Sequence, residues 1–199
     1  MKRCLSCWTV WDTADPHCPL CRGLRVEADH TPSPRENELR AMVQARLETF
    51  GPRLVEELHG IARASMPAET CLIDFEAQPY RFRYAFAVRW DPMDAELTQL
   101  DGGGDLLVGA EPILSADIAD APEYEGLAVA SVAFHALPQW FADCWARAGG
   151  SACRFPAYLS EHDSSLAFDL RSRTWDVNGA RWDGFPSPPS PLPPRGEGR

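Results

Sequence analysis

From Leu39 onward, apolar residues return at three- and four-residue steps: Leu39, Met42, Val43, Leu47, Phe50, Leu54, Leu58 and Ile61. This period places them on one face and predicts an amphipathic helix. The start of the helix is marked in the sequence. Ser33 is placed to act as N-cap, Pro34 takes the first helical position, and Glu36 stands three residues past the cap as in a capping box. Gly51-Pro52 falls inside the pattern, and proline has no amide to donate. The expectation is therefore a kink or two helices, over 34–50 and 52–65. His59 falls on the less apolar side, the place of a solvated surface histidine.

Between residues 70 and 90 the period changes to two. Phe82, Tyr84, Phe86, Val88 and Trp90 alternate with Arg81, Arg83, Ala85, Ala87 and Arg89; before them Cys71, Ile73, Phe75 and Ala77 alternate with Leu72, Asp74 and Glu76. Alternation of this kind predicts strands with one buried face. Gln78-Pro79 separates the two runs and predicts an antiparallel hairpin. Arg81, Arg83 and Arg89 would share its outer face with Asp74 and Glu76, as cross-strand ion pairs.

Residues 91–121 read as an acidic loop, with Leu106-Leu107-Val108 as a short strand inside it. A second helical region follows over 122–148, opened by Asp120, Pro122 and Glu123, restarted at Pro138 and stopped by Gly149-Gly150. Trp140, Phe141, Cys144 and Trp145 would face the core. Two or three short strands complete the pattern: 155–159, then 165–170 and 174–177 bracketing Arg171-Ser172-Arg173 as a hairpin. The fold class is α+β, one domain over 34–184 with helices packed on a mostly antiparallel sheet. From Phe185 the chain is dominated by proline and serine, so 185–199 is expected as a disordered tail without a core.

Charge adds one fact to this outline. The chain of 199 residues has a formal net charge of -10. The excess is local: residues 65–134 hold thirteen acids against Arg81, Arg83 and Arg89, whereas acids and bases balance in the rest. An acidic belt repels phosphate backbones and excludes nucleic acid as a natural partner of the body. It suits solubility, or the docking of a protein with a basic surface. No apolar run is long enough to span a membrane. Met1-Lys2-Arg3 leads into cysteines, not into the apolar stretch of a secretory signal. The expected place is the cytoplasm, where thiols stay reduced.

Candidate chemistry is concentrated in the first twenty-three residues. Cys4-Leu-Ser-Cys7 and Cys18-Pro-Leu-Cys21 form two C-x-x-C pairs with ten residues between them. Each pair can aim two thiolates at one ion, and four thiolates close a tetrahedral shell. The expectation is one structural zinc per chain, held by Cys4, Cys7, Cys18 and Cys21; tetrathiolate ligation also suits iron. A closed shell leaves no position for a reacting water. Trp8 to Trp11 is a strand candidate, and 12–16 is rich in turn formers. The organisation that follows is a zinc ribbon over 1–23, a linker over 24–33, the α+β domain and the tail.

These residues resemble the short double-knuckle zinc ribbons at the amino termini of bacterial proteins. The resemblance rests on the four cysteines, their spacing, Pro19 and Gly23, and covers about a tenth of the chain. Trp8 and Arg22 stand where that class usually has a glycine after each knuckle. The resemblance implies an adaptor or stabilising module and no enzyme.

No catalytic constellation assembles in the sequence. His135, Cys144, Cys153 and His162 recur nine residues apart, but nine residues turn a helix about half a revolution out of phase. The glycine run at 102–104 lacks the Lys-Ser/Thr of a phosphate loop, and the spacing of Asp91, Asp94, Asp101 and Asp105 is not that of an EF-hand. The leading expectation is a non-enzymatic, zinc-binding protein-interaction module acting through its acidic body. In acidity, size and fold class it resembles the immunity proteins that neutralise bacterial toxins. The competing expectation is a hydrolytic enzyme using carboxylates from among Asp91, Asp94, Asp101 and Asp105 with a nearby histidine, His135 or His162.

Overall fold

The computed structural model describes residues 2–4, 10–11, 16–18, 26–27, 31–66, 70–78, 81–91, 96–107, 112–115, 118, 121–127, 129–161 and 167–176. The architecture is α+β: two helices packed on a mixed, mostly antiparallel sheet. The strand order of that six-stranded sheet is β6-β5-β4-β7-β8-β9. Its members are β4 (Leu72–Gln78), β5 (Arg81–Asp91), β6 (Glu96–Leu106), β7 (Ala157–Glu161), β8 (Ala167–Asp169) and β9 (Thr174–Asp176). The two helices packed on it among the described residues are α1 (Pro34–Arg63) and α2 (Val129–Arg147). A separate three-stranded sheet is formed near the amino terminus by β1 (Lys2–Cys4), β2 (Val10–Trp11) and β3 (Val26–Glu27), with β1 in the middle.

Helix α1 begins as its sequence predicts. The Glu36 amide donates to Ser33 Oγ at 3.1 Å. This satisfies one of the orphan donors of the first turn. The Glu36 carboxylate accepts from Arg40 one turn on, at 2.8 Å.

The expected break at Gly51-Pro52 does not divide the element, which runs unbroken for 30 residues. Leu47, Gly51, Leu54 and Leu58 are all buried, so the apolar stripe stays in phase through the proline. Pro52 and Glu48 are both exposed. The carbonyl that loses its partner at Pro52 therefore belongs to the solvent side, where water can replace the amide.

Pro138 likewise lies inside α2 and does not restart it. Pro122 opens only a short 3-10 turn, Pro122–Tyr124, and the helix itself begins at Val129. The stop is as expected. Gly149 adopts φ 91°, a left-handed conformation natural to glycine at the end of a helix.

The two helices and one face of the sheet enclose the core. Phe75 of β4 is its centre, with ring centroids 5.0 Å from Phe141 and 5.5 Å from Trp145 of α2. Trp140, Phe141, Cys144 and Trp145 are buried, as their spacing predicts. Farther along α2, Phe134 meets Trp175 of β9, which also packs on Phe168 of β8.

The hairpin of β4 and β5 has the expected antiparallel pairing, from Leu72 opposite Ala87 to Gln78 opposite Arg81. The later hairpin holds as well: β8 and β9 are antiparallel. Its turn is closed by Asp169 Oδ1, which accepts from the amides of Arg171 at 2.7 Å and Ser172 at 3.0 Å. Strand β7 runs parallel to β4, with Ile73 opposite Ala157, and makes β4 an interior strand.

Two further expectations are corrected. Residues 96–106 are a strand rather than part of a loop, and Leu106 is its last residue. Tertiary pairing with β5 imposes this strand on a glycine-rich sequence of weak β propensity. Residues 26–27, expected within a linker, form β3 and pair with β1. The tail over 185–199 lies outside the described residues.

Candidate metal centre and acidic strand

Strand β1 carries Cys4 at its end, in register with Val26 of β3. Cys18, from the second knuckle, lies near Cys4, and both are fully buried. A thiol from each knuckle is thus withdrawn from solvent at one place, a setting compatible with a sulfur-ligated ion. Cys7 and Cys21 lie outside the described residues. Among the described residues no three His, Cys, Asp or Glu side chains converge as a metal site. His17, beside Cys18, is half-buried.

Of the four aspartates of the enzyme expectation, Asp91 and Asp105 are set apart along the sheet. Asp91 stands opposite Glu96 at one end of the β5–β6 ladder, and Asp105 stands opposite Arg83 at the other. The eight residue steps from Arg83 to Asp91 correspond to roughly 26 Å of strand. Asp101 lies between these ends on β6, and Asp94 is outside the described residues. His135 is half-buried on α2, and His162 lies outside the described residues.

Cys144 is 1% exposed. Burial, partly offset by Arg147 and reinforced by Asp143, pushes its thiol from 9.0 up to about 11. A thiol so held is protonated at neutral pH and is a poor nucleophile and ligand. Cys153 is buried on the segment after α2.

The β4–β5 register puts positions 81 and 83 in the same alternation as Asp74 and Glu76, as expected, but allows only one direct cross-strand pair of arginine and acid. Arg81 is opposite Gln78 and Arg83 opposite Glu76, while Asp74 is opposite Ala85. Arg89 has Thr98 of β6 as its register partner. Only Arg83 stands in register with an acid of β4, and Asp105 is its register partner on the other side. The face carrying Asp74 is not open either. Leu72, Asp74, Tyr158 and Ser160 are all buried, and Ser160 Oγ donates to Asp74 Oδ2 at 3.4 Å. The alternation of β4 correctly separated Phe75 from Asp74. It could not reveal that β7 would flank β4 and help shield its second face.

A further contact has no counterpart in any sequence motif. The Leu107 amide donates to Glu57 Oε2 at 2.7 Å, while Glu57 Oε1 accepts from Arg53 at 2.9 Å. Leu107 has φ 57°, uncommon for a residue with a side chain. The carboxylate on α1 thus fixes the chain where it leaves β6. His59 makes a second tie to α1: its Nδ1 is 3.0 Å from the Ala148 carbonyl and its Nε2 is 3.1 Å from Arg63. The arginine must donate to Nε2, which places the ring proton on Nδ1. His59 thus joins the end of α2 to α1, although its residue as a whole is exposed.

The described residues also contain a cavity of about 360 Å³ at the start of α2, bordered by Tyr124, Glu125, Leu127 and Val129. Arg35 donates to the carbonyls of Glu123 and Glu125 in the same segment. No helix among the described residues is long and apolar enough to cross a membrane. No protein-family model, curated protein or solved structure matches this chain.

Proposed function

We propose that the protein is a non-enzymatic interaction module of the cytoplasm, whose acidic body binds another protein through that partner's basic surface. The observation that carries this reading is the placement of charge. From Trp90 to Ala146 the sequence contains eleven acids and no lysine or arginine, and this stretch includes the whole of β6, an edge of the sheet. Such a field favours encounter with a basic protein and disfavours nucleic acid. The separation of Asp91 from Asp105 supports binding over hydrolysis. An immunity-like role, in which the partner is a toxin, is one form of the same proposal.

In this reading the amino-terminal segment is a ribbon held by one structural zinc on Cys4, Cys7, Cys18 and Cys21. Burial of Cys4 and Cys18 supports it. The metal would supply folding energy to a segment too short to build its own core.

Affinity capture of the full chain from its native host, followed by cross-linking, tests the function. A single partner recovered reproducibly, released by salt and richer in lysine and arginine at the cross-linked surface, is the expected result. Turnover in a substrate screen, with no partner recovered, would reverse the assignment.

A further inference from the structure

The two edges of the main sheet are unequal. Strand β9 has three residues, too few to template another strand, whereas β6 has eleven. On one side β6 is hydrogen-bonded to β5; on the other, no described strand pairs with it. An edge strand of this length presents a row of backbone donors and acceptors suited to an added strand.

The register shows where an added strand could lie. Tyr84 is opposite Gly104 and Phe86 opposite Leu100, so Ala85 alone spans the interval that Asp101, Gly102 and Gly103 span on β6. This bulge bends β6 and interrupts pairing there. Glu96 to Leu100 is the longer piece of β6 in which every residue has a register partner on β5; a second bulge, at Val88 between the Ala87–Gln99 and Arg89–Thr98 pairs, places its extra residue on β5 and not on β6.

Charge identifies the occupant. Strand β6 carries Glu96, Asp101 and Asp105 and no base. A second copy of this chain, edge to edge, would bring like charges together. A strand bearing lysine or arginine would bring opposite ones.

We propose that the edge of β6 over Glu96–Leu100 receives an extended lysine- or arginine-bearing segment of a partner protein as an added strand. Backbone hydrogen bonds supply the affinity, and the acids select the partner. This rests on the binding function proposed above and names the surface that performs it.

The test uses the full-length protein and peptides of about nine residues, alternating lysine with valine or threonine, which exceed the five-residue span at ~3.3 Å per residue. Peptides with glutamate in place of lysine are the comparison. The lysine peptides are expected to bind saturably, to weaken as salt rises, and to slow amide exchange over 96–100. The double substitution Glu96→Lys with Asp101→Lys should weaken them by about tenfold or more. Thr98→Pro and Gln99→Pro provide a backbone test, because neighbouring amides of a strand point to opposite edges. One of the two should retain the fold and lose the peptide.

Equal binding of lysine and glutamate peptides, protection only outside β6, or undiminished binding by the charge-reversed protein each overturns the proposal. A native partner whose cross-links lie away from β6 also overturns it, while leaving the binding function in place. Absence of both peptide binding and a native partner removes both.

Discussion

The indole of Trp145 fills the space into which a side chain on Gly150 would project, so that a Cβ there would overlap Cδ2 and Cε2 of the ring. Trp145 is 2% exposed and stacks edgewise against Phe75, the centre of the core. The ring therefore has nowhere to retreat. Gly150→Ala is expected to destabilise the protein by about 2–3 kcal/mol through overpacking. Denaturant unfolding, with near-UV circular dichroism reporting the tryptophans, measures this. A wild-type midpoint for the variant would show that the ring is not tightly held.

Gly60 has the opposite prospect. It is exposed within α1, and a Cβ added there meets nothing within 4 Å. Alanine restores helix propensity with no steric penalty, so Gly60→Ala should stabilise the protein by up to about 1 kcal/mol. Thermal unfolding is the measurement, and a lowered midpoint would contradict the open helix surface.

Glu57 joins α1 to the end of β6 by accepting from the Leu107 amide. Its removal leaves that amide to find another acceptor, and Leu107 is 8% exposed. Glu57→Ala is expected to cost about 1–2 kcal/mol, and Glu57→Gln, which keeps an acceptor, less. Amide exchange at Leu107 should rise in Glu57→Ala. Unchanged exchange there would show that the carboxylate does not secure the segment.

The Cys144 thiol gives a pH-dependent signature. It is pushed from 9.0 to about 11, chiefly by burial. Below pH 9 the thiol is protonated in both the folded and unfolded chains and contributes no slope. Between pH 9 and 11 the unfolded chain releases the proton while the folded chain keeps it, so stability falls as pH rises. Two pKa units correspond to roughly 3 kcal/mol over that window. Comparing wild type with Cys144→Ala across it isolates this contribution, and the substitution should flatten the decline. Alkylation of Cys144 near neutral pH should require unfolding.

Zinc content is read by native mass spectrometry of protein purified under reducing conditions. One zinc per chain is expected, lost from Cys4→Ser with Cys18→Ser. The body should keep its secondary structure without the metal, because its core is built from residues 39–170. A wild-type protein that contains no zinc and takes none up would remove the ribbon from the proposed function.

Local elements whose signals are strong over a short range were legible in the residues alone. The Ser33 cap, the apolar stripe of α1, the β4–β5 hairpin, the core side of α2 and the hairpin around Arg171-Ser172-Arg173 all follow from spacing and from backbone chemistry within a few residues. The sequence also located the cysteine pairs and the excess of acid. Tertiary structure decided the rest. Packing of α1 kept the helix intact through Pro52, because the unbonded carbonyl falls on the wet side. Pairing with β5 made a strand of the glycine-rich segment that contains Asp101 and Asp105, and set Asp91 and Asp105 at opposite ends of one ladder. The parallel arrival of β7 buried Asp74, which alternation alone assigns to an outer face. Periodicity reports which side of an element is apolar, whereas neighbours supplied by distant segments decide what each side meets.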